Sequence, residues 1–498
     1  MKKRLVIYFY YAPDGQADSA CLFALQALRQ AGAEVLFVMN GALDAASRQA
    51  VRAQGAQLLE RENVGLDVGA YRQALLGLGR DGLAGVDELI LMNYTLAGPV
   101  SPLEQMFAKM DARPELDFWG LTRHYAMKSR RFGGARGMVP EHIQSHFLAL
   151  RPRLFRSEAF WQYWQSMPLP RSYEQSVAGH ETRFTAHFAG LEFAWDTAVD
   201  TGDLAGIFVN PIMACPAELL ARQGCPFFKR RSFFTPYADE LRRTDGAAAA
   251  ELYDWLKRST DYPVDELIRS LLRTQPLAFL AQNLHWSAAL PAAEEPAPPV
   301  RLIRWRRGAP QPEVAAGEIV CLYCPPDTPP RDAADWYARR AAVRLAEDPA
   351  ARAAAARLLA EHPLAGTASP SVAAFGAAAA RRMAEWRAAL PALRGEAARL
   401  GLKAPVAAET PLPVPAGGCV FLKGDAFAGG LPPLDTPAGW WLLPLSAQAN
   451  GFGCLSILSP AEASAAPERL ACALYDAQDA GESGKNLVRA LRRRLRGG

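Results

Sequence analysis

Short apolar segments alternate with segments of helical periodicity over the first half of the chain. Strands are predicted at the apolar runs 5–11, 34–39, 57–59, 88–92 and 118–121. Helices are predicted between them at 19–30, 44–54, 70–78 and 102–110. This alternation predicts an α/β fold, in which a mostly parallel sheet carries helices on both faces. Ligands of such sheets bind beyond the carboxyl ends of the strands, so residues that follow strands are the first site candidates.

The segment 123–140 has a different character. It has three glycines, no apolar period and six basic or histidine side chains, which are Arg123, His124, Lys128, Arg130, Arg131 and Arg136. We interpret it as a mobile loop, which is either a solvated connection or a flap over an anionic ligand. After it, 142–150 is predicted to form one strand, and 157–166 and 173–189 are predicted helices.

The second half of the chain predicts further domains. Residues 213–290 are predicted to be a helical extension, with helices at 216–222, 247–258 and 265–273. A proline-rich linker at 291–300 precedes a smaller, Ala-rich or α/β domain at 301–480. Its predicted strands are 319–323, 418–422 and 453–458, and its predicted helices are 333–345 and 349–362. The basic helix predicted at 481–498 is either solvated or lies on an anionic membrane surface.

Composition excludes several classes of function. There are 55 Lys and Arg against 51 Asp and Glu, a net charge of +4, which predicts no nucleic-acid partner. No run of about 18 apolar residues predicts a membrane-spanning helix, and the basic start is interpreted as a strand, not a signal peptide. The eight cysteines predict no disulfide framework, and the CxxC at Cys321 and Cys324 has no second ligand pair at zinc spacing. We therefore expect a reducing, cytoplasmic location.

Two candidate sites follow predicted strands. In segment 62–71, Gly65 and Gly69 permit close backbone approach to a ligand at a helix N-terminus. Asp67 either caps that helix or accepts hydrogen bonds from a nucleobase or sugar. Segment 87–95 is a buried strand with a polar end. Because hard cations need several oxygen ligands, Asn93 alone is a poor metal ligand, and an ordinary strand end is the alternative.

Two further groups lie on the predicted strand 142–150 and the predicted helix 173–189. His142, Gln144 and His146 alternate to one face of the strand, where the two histidines are about 13 Å apart, too far to share a metal. Glu174 and Glu181 are seven residues apart and are predicted to share a helix face. Either is a candidate general base for an acceptor hydroxyl, and the alternative for both groups is a structural or surface role.

The last group is Lys229, Arg230 and Arg231, which lie between two aromatic pairs. Aromatic rings beside cations can stack on bases, but the near-neutral chain disfavours nucleic acid. A clamp for a diphosphate, or a cationic rim that faces lipid phosphate, is the simpler interpretation. An ordinary solvated turn is the alternative.

Taken together, these segments resemble the rhamnan synthesis protein F family of bacterial glycosyltransferases. The resemblance covers residues 1–286 and rests on RENVGLDVGAYRQAL, DELILMNYTLAGPV, FWGLT, HIQSHFLALRP, GCPFFKRRSFF and TDGAAAAELYDWLKRSTDYPVDELIRSLLRTQPLAFLAQNLHW. It implies a GT-A-like, Rossmann-like nucleotide-sugar transferase domain at 1–212. The implied donor is a nucleotide-sugar, dTDP-L-rhamnose, and the implied acceptor is a polyprenyl-diphosphate-linked glycan of cell-surface polysaccharide or lipopolysaccharide O-antigen. The domain at 301–480 more loosely resembles a degenerate second transferase module.

The resemblance also implies site residues. Those for the nucleotide-sugar are Asn63, Gly65, Asp67, Gly69, Asn93, Thr95, His142, Gln144, Lys229 and Arg230. Glu174 follows Tyr173 as in the family's Tyr-Glu pair and is the implied catalytic residue. Tyr94 stands where the family has an acidic residue, so the use of Mg or Mn and the identity of any metal ligand stay open.

The resulting hypothesis is an inverting glycosyltransferase at the cytoplasmic face of the inner membrane, with peripheral membrane contact. The basic segment 123–136 and Lys229–Arg231 supply positive charge to the leaving nucleoside diphosphate. This charge substitutes for a metal ion, whose acidic ligand is missing here. Glu174 deprotonates the acceptor hydroxyl. The rival hypothesis is a catalytically inactive relative that binds glycan or scaffolds assembly, which Tyr94 favours.

Overall fold

The computed structural model describes residues 2–129, 132, 137–291, 298–370, 376–412, 415, 417–436, 438–458 and 463. The chain divides into two compact units. One comprises Met1–Ser232 and Glu251–Leu267, and the other comprises Phe233–Ala250 and Ile268–Gly498. Most of the predicted linker at 291–300 and all of the predicted basic helix at 481–498 lie outside the described residues.

A seven-stranded sheet forms the centre of the first unit. Its strands are β1 (Arg4–Tyr10), β2 (Ala33–Asn40), β3 (Gln57–Arg61), β4 (Glu88–Asn93), β5 (Phe118–Gly120), β6 (Phe147–Leu150) and β7 (Trp195–Thr197). They lie in the order β7-β5-β6-β4-β1-β2-β3, and β6 alone among them runs antiparallel to its neighbours. Every residue of β1 and β4 is buried, which explains their uninterrupted apolar character.

Helices cover both faces of this sheet. They include α1 (Ser19–Gln30), α2 (Ala45–Ala53), α3 (Leu66–Gly82), α4 (Leu103–Asp111), α5 (Glu158–Ser166), the four-residue α6 (Tyr173–Ser176) and α7 (Thr182–Ala189). Leu5, Ile7 and Phe9 of β1 belong to one core cluster with residues of α3 and α5. Tyr8 points to the other face, where it lies beside Cys21 of α1. The predicted α/β fold class is confirmed.

Shorter elements complete the first unit. Its further helices and 3-10 turns are Pro152–Phe155, Gly202–Leu204, Pro211–Ala214, Pro216–Ala221 and Arg230–Phe233. Three two-residue ladders lie outside the main sheet: Leu96–Ala97 with Phe228–Lys229, Arg123–His124 with His142–Ile143, and Met127–Lys128 with Met138–Val139. The helices Ala248–Ser259 and Val264–Thr274 follow in the chain and match two predicted helices.

Three predictions for this unit need correction. The single strand predicted at 142–150 is wrong, because a turn at Gln144 to His146 separates His142–Ile143 from β6. The alternation that placed His142, Gln144 and His146 on one face therefore does not hold. The helix predicted at 173–189 contains a π-helical turn, Val177–Glu181, between α6 and α7. This turn shifts the helical phase, so Glu174 and Glu181 do not share a face as they would in a regular α-helix.

The predicted basic loop at 123–140 is the third correction. Its described part forms the antiparallel ladders that start at Arg123 and Met127, so it is a β-hairpin and not an irregular connection. Arg123 is bound within the protein, since it donates to Glu141 at 2.6 Å and to Asp196 at 2.7 Å. Arg130, Arg131 and Arg136 lie outside the described residues.

The second unit contains a six-stranded sheet of its own. Its strands are β8 (Ser287–Ala289), β9 (Arg301–Arg304), β10 (Ile319–Tyr323), β11 (Ala365–Pro370), β12 (Cys419–Lys423) and β13 (Gly453–Leu458), in the order β8-β13-β11-β12-β10-β9. Its helices and 3-10 turns include Tyr237–Leu241, Leu277–Asn283, Ala333–Glu347, Pro349–Glu361, Gly376–Arg399, Gly424–Phe427 and Gly439–Ala449. This unit is also α/β. Among the described residues of the chain, no helix is long and apolar enough to cross a membrane.

A buried ion pair fixes the centre of the first sheet. Arg4 Nε donates to Glu88 Oε2 at 2.7 Å, and Arg4 Nη2 donates to Asp111 Oδ1 at 2.6 Å. The second oxygen of Glu88 accepts from Trp119 Nε1 at 2.8 Å, so both oxygens of this fully buried carboxylate are paired. Because an unpaired buried charge is costly, this network holds β1, β4 and β5 in one arrangement.

We expect Glu88→Ala to destabilise the protein by about 3–5 kcal/mol, because it leaves the buried Arg4 guanidinium with a partner lost and Trp119 Nε1 unpaired. Chemical denaturation followed by tryptophan fluorescence measures the effect. Glu104→Ala, at an exposed position in the first turn of α4, is the matched control and should cost less than about 1 kcal/mol. Equal effects of the two substitutions would contradict this account.

Candidate functional site

Polar side chains meet where β4 ends and α3 begins. Asn93, the last residue of β4, donates from Nδ2 to Asp67 Oδ2 at 3.3 Å. Asp67 lies in the first turn of α3, and its Oδ1 accepts from Ser176 Oγ at 3.1 Å and from its neighbour Val68 N at 2.9 Å. The Asp67 carboxylate therefore joins a strand end, a helix start and α6.

A lysine reaches the same place from a distant part of the chain. Thr95 donates from its backbone N to Asn93 Oδ1 at 3.1 Å, and its hydroxyl also bonds that oxygen. Lys229 Nζ in turn donates to Thr95 Oγ1 at 3.3 Å. The ladder of Phe228–Lys229 with Leu96–Ala97 sets this position, because it pairs Lys229 with Leu96, the residue after Thr95.

Glu181, the last residue of the π-helical turn, forms the other side of the site. Its Oε2 accepts from Ser145 Oγ at 2.6 Å and from Ser145 N at 3.2 Å, and its Oε1 lies 4.0 Å from His142 Nε2. His142 is oriented by donation from Nδ1 to Pro140 O at 2.7 Å and by stacking on His124 at 4.8 Å. Inserted π-helical turns are frequent at functional sites. We call Asp67, Asn93, Thr95, Ser145, Ser176, Glu181 and Lys229 the polar cluster.

The charges of the polar cluster perturb one another. Burial lowers the pKa of the Lys229 ammonium to about 8, against the opposing effect of Glu181 and Asp67. Burial raises the pKa of Asp67, and the nearby Glu181 charge adds to the rise. Burial also acts to raise the pKa of Glu181, but His142, Lys229 and the Ser145 hydrogen bonds outweigh it and the net shift is downward. At neutral pH the cluster thus holds one ammonium and an ionised Glu181 close together.

Tyr94 lies between Asn93 and Thr95 but turns away to the core. Its ring packs against Phe9 and Tyr10, with ring centroids 5.7 and 5.3 Å apart, and lies 5.7 Å from the Arg230 guanidinium carbon. Burial raises the pKa of its phenol to about 12. Tyr94 therefore presents a neutral hydroxyl where a carboxylate would bring negative charge, and its ring fills space beside β1.

The structure brings together only part of the predicted site. Asp67, Asn93, Thr95 and Lys229 are in the polar cluster, and His142 borders it. Arg230 instead forms a buried ion pair with Asp18, with Nη2 to Oδ1 at 3.0 Å, which neutralises its charge inside the protein.

The remaining predicted residues lie elsewhere. Gln144 is buried and accepts from Thr122 Oγ1 at 3.0 Å. Asn63 is exposed and accepts from Asn40 Nδ2 at 3.2 Å, which anchors the loop before α3. Glu174 lies half-buried in the first turn of α6, and its catalytic role stays a prediction.

The structure adds information on two residues of the cluster. Glu181 was one of two candidate bases in the sequence, and its hydrogen bonds with Ser145 and the electrostatic effect of Lys229 on its pKa now distinguish it. Ser176 carried no sequence signal, because its role depends on a contact with Asp67, 109 residues away. Spacing along the chain encodes neither contact.

The donor set of the cluster does not fit a protein-held divalent cation. Among the described residues, no three His, Cys, Asp or Glu side chains converge on one point. Asn93 Oδ1 already accepts from Thr95, and both oxygens of Asp67 accept hydrogen bonds. A hard cation such as Mg²⁺ needs free oxygen ligands, and here the positive charge beside Asp67 and Glu181 is the Lys229 ammonium.

The polar cluster lies at the carboxyl end of β4, and ligands of α/β sheets usually bind beyond the carboxyl ends of the strands. The profile of the rhamnan synthesis protein F family matches residues 35–288, slightly more than half of the chain. The chain belongs to this family, and the identification made from the sequence is confirmed.

Individual relatives are more distant. The uncharacterized protein y4gN of Sinorhizobium fredii is 23% identical over 208 residues, which cover 41% of this chain and 51% of that protein. The chain thus spans about half the length of the curated relative it matches.

Solved structures of sugar transferases share weaker similarity. Core-mannan synthase A from Aspergillus fumigatus is 10% identical with a TM-score of 0.25, over 39% of this chain and 73% of that one. Glucosyl-3-phosphoglycerate synthase from Mycobacterium tuberculosis is 14% identical with a TM-score of 0.25, over 45% and 80%. Mannosyltransferase PcManGT from Pyrobaculum calidifontis is 12% identical with a TM-score of 0.27, over 53% and 66%. At these TM-scores the similarity supports no argument about this chain.

The glycines before and within α3 serve the protein's own packing. Gly65 has a φ of 78°, in the left-handed region, where it begins the helix. A Cβ on Gly69 would collide with the backbone oxygen of Val64, so Gly69 lets α3 approach the preceding loop. The close approach that the structure shows is thus to the chain itself, and the approach to a ligand stays a prediction.

We expect Gly69→Ala to destabilise the protein by about 1–3 kcal/mol, because the collision with Val64 O forces the loop and helix apart. Gly77→Ala is the matched control in the same helix, where an added Cβ meets no atom within 4 Å. That substitution should instead stabilise by up to about 1 kcal/mol through helix propensity. Thermal denaturation of both variants tests the opposite signs, and a stabilising Gly69→Ala would disprove the packing role.

Proposed function

We propose that the protein is a glycosyltransferase that moves a sugar from a nucleotide-activated donor to a hydroxyl group of a growing glycan. The observation that carries this proposal is the polar cluster, in which a half-buried cation and an ionised carboxylate lie near each other at the carboxyl end of β4. The family description, rhamnan synthesis protein F, supports rhamnose as the sugar. The proposed donor is dTDP-L-rhamnose. The same proposal includes a polyprenyl-diphosphate-linked glycan as the acceptor. It also includes a peripheral position at the cytoplasmic face of the inner membrane.

Lys229 stabilises the leaving group in this mechanism. When the bond from the anomeric carbon to the diphosphate breaks, negative charge develops on the departing oxygen. A preorganised ammonium in a water-poor site stabilises that charge strongly, because it needs no reorganisation during the reaction. Thr95 holds the Lys229 ammonium in place, and Asn93 fixes Thr95.

Glu181 is the general base that the geometry favours. It is ionised at neutral pH and is held by Ser145, so it is ready to accept a proton from the attacking hydroxyl. The hydroxyl oxygen forms the new bond to the anomeric carbon as the diphosphate leaves from the opposite face, which inverts the configuration. The proton passes to Glu181. Glu174 is the alternative base that the family resemblance implies.

Paired substitutions distinguish the two carboxylates. We expect Glu181→Gln to lower kcat for sugar transfer by about 100-fold or more, because general-base catalysis contributes roughly 10²–10⁴-fold. Glu174→Gln should change kcat less than threefold, and nucleotide binding should persist in both variants. Transfer is measured as release of nucleoside diphosphate from dTDP-L-rhamnose, with GDP- and UDP-sugars tested in parallel. The reverse ranking would return the catalytic role to Glu174.

The pKa of Lys229 predicts how donor binding depends on pH. The ammonium form binds the diphosphate, and it is lost as pH rises through about 8. The Kd of dTDP should therefore rise about tenfold for each pH unit above that point. Lys229→Arg keeps its charge over this range and should remove the dependence, whereas Lys229→Met should bind weakly at every pH. Calorimetric titration from pH 6.5 to 9.5, with EDTA present, measures the profile.

Two outcomes would contradict the proposal, one its metal-free mechanism and the other its enzymatic activity. A requirement for added Mn²⁺ would show that Lys229 does not replace a metal. If no nucleotide raises the melting temperature of the wild type and no donor is consumed, the inactive scaffold becomes the better account. Tyr94 is the residue that favours this rival, because it removes the acidic side chain at the strand end.

A further inference from the structure

The imidazole of His142 faces the proposed general base and has no part in the mechanism above. Its side chain is 1% exposed. Its Nε2 atom is buried and has no hydrogen-bond partner among the described residues. The carboxylate oxygen that faces this atom is Glu181 Oε1, at 4.0 Å. Buried polar atoms are rarely left unpaired without a reason, so the pair of His142 and Glu181 requires an explanation.

Two backbone carbonyls determine which ring nitrogens of the stacked histidines carry a proton. His142 Nδ1 lies 2.7 Å from Pro140 O, and His124 Nδ1 lies 2.9 Å from Tyr125 O. Because a carbonyl oxygen only accepts hydrogen bonds, each Nδ1 atom is the donor. In the neutral imidazole of His142, Nε2 therefore carries a lone pair and is able to accept a proton.

The two oxygens of the Glu181 carboxylate have different surroundings. Oε2 accepts from the backbone N and the hydroxyl of Ser145, whereas Oε1 accepts no hydrogen bond from any described residue. The side chain of Glu181 is 20% exposed, against 1% for that of His142. Oε1 is thus the oxygen available to the attacking hydroxyl. A proton from the substrate reaches Nε2 of His142 only through Glu181, because the imidazole itself does not meet solvent.

His124 leaves a positive charge on His142 unopposed. Burial and the nearby His142 lower the pKa of His124 to about 4, so the second ring of the stack is neutral at physiological pH. Titratable groups that act on Glu181, or are acted on by it, include His124, Lys229, Asp67, Tyr173 and His180.

We propose that His142 is a positioning residue that takes over the proton which Glu181 accepts from the attacking hydroxyl. The Oε1–H bond breaks and the Nε2–H bond forms, which leaves an ionised carboxylate beside an imidazolium. The separation of 4.0 Å has to shorten by about 1 Å, and such bonds often tighten only when substrate is bound. After the product leaves, the proton returns through Glu181 to water. This inference rests on the proposed function, since it requires Glu181 as the base.

Substitution of His142 tests this role. His142→Gln keeps a polar side chain that cannot take up the proton, and His142→Asn keeps a donor near Pro140 O. Both should lower kcat for sugar transfer at least tenfold and leave the Kd of dTDP within twofold of the wild type. Transfer is measured as release of nucleoside diphosphate from dTDP-L-rhamnose. His180→Gln is the matched control, because its side chain is also 1% exposed and bonds the Tyr163 hydroxyl. It should change kcat less than threefold, and an equal loss in both histidine variants would overturn the proposal.

The pH profile gives a readout that a merely structural role would not move. Burial acts to raise the pKa of Glu181, and His142 is among the groups that lower it. Removal of His142 therefore raises this pKa, and Glu181 is protonated at a higher pH. The acid side of the kcat/KM profile should shift to higher pH in His142→Gln. An unshifted profile would contradict the coupling of the two residues.

A double substitution tests whether His142 acts through Glu181. The variant with both Glu181→Gln and His142→Gln should be no slower than Glu181→Gln alone, because one pathway is then already blocked. Independent, additive losses would overturn the proposal. Wild-type activity in His142→Gln, with an inactive Glu181→Gln, contradicts this inference alone. No consumption of donor by the wild type contradicts the proposed function, and this inference with it.

The wild-type protein provides a test that does not depend on how the variants fold. Nitrogen NMR of protein labelled with ¹⁵N-histidine reports which ring nitrogen is protonated. The stacked pair is recognised by the nuclear Overhauser contact between its two rings. At pH 8 both rings should carry their proton on Nδ1. A proton on Nε2 of His142 would remove the lone pair that the transfer needs and would overturn the proposal.

Discussion

The half-buried Lys229 ammonium is the feature on which the site depends. Burial favours the neutral amine, and the neighbouring Glu181 and Asp67 carboxylates oppose that effect. The three groups come from a two-residue ladder, the end of a π-helical turn and the start of α3. Each of these elements is held by its own contacts, so the cluster is assembled by the fold before any ligand arrives. Such preorganisation is what makes electrostatic stabilisation effective in catalysis.

This arrangement also explains how the site can tolerate Tyr94. A carboxylate at that position would add a third negative charge beside Asp67 and Glu181, with a single ammonium to balance them. The neutral phenol, packed on Phe9 and Tyr10, leaves Lys229 as the main positive charge and adds no further negative charge to the two carboxylates. The neutral Tyr94 and the positively charged Lys229 therefore both limit the negative charge of the site.

The sequence predicted the elements whose signal is local. The buried strands β1 and β4 are uninterrupted apolar runs, and α1 and β10 have the predicted bounds because their apolar spacing is clear. The turn inside 142–150 was missed because Gln144, Ser145 and His146 are all buried, so the pattern of a strand and of this turn look alike. The choice between Glu174 and Glu181 depended on the helical phase, which tertiary contacts set. The contact of Lys229 with Thr95 spans 134 residues and has no local signal.

The position of β6 in the sheet has a consequence for how the nascent chain folds. In the sheet β6 lies between β4 and β5, but it is synthesised after both. Until residues 147–150 have left the ribosome, the sheet therefore lacks a strand between β4 and β5. The parallel strands β3, β2, β1 and β4 can pair first. The outer edge of β4 then has no partner strand until residues 147–150 are available. An unpaired strand edge of this kind is prone to association with other chains, and it is closed only when the chain reverses after Ser145. Asp67, Asn93 and Thr95 of the polar cluster are therefore synthesised before Glu181, and the cluster is complete only once Lys229 has followed.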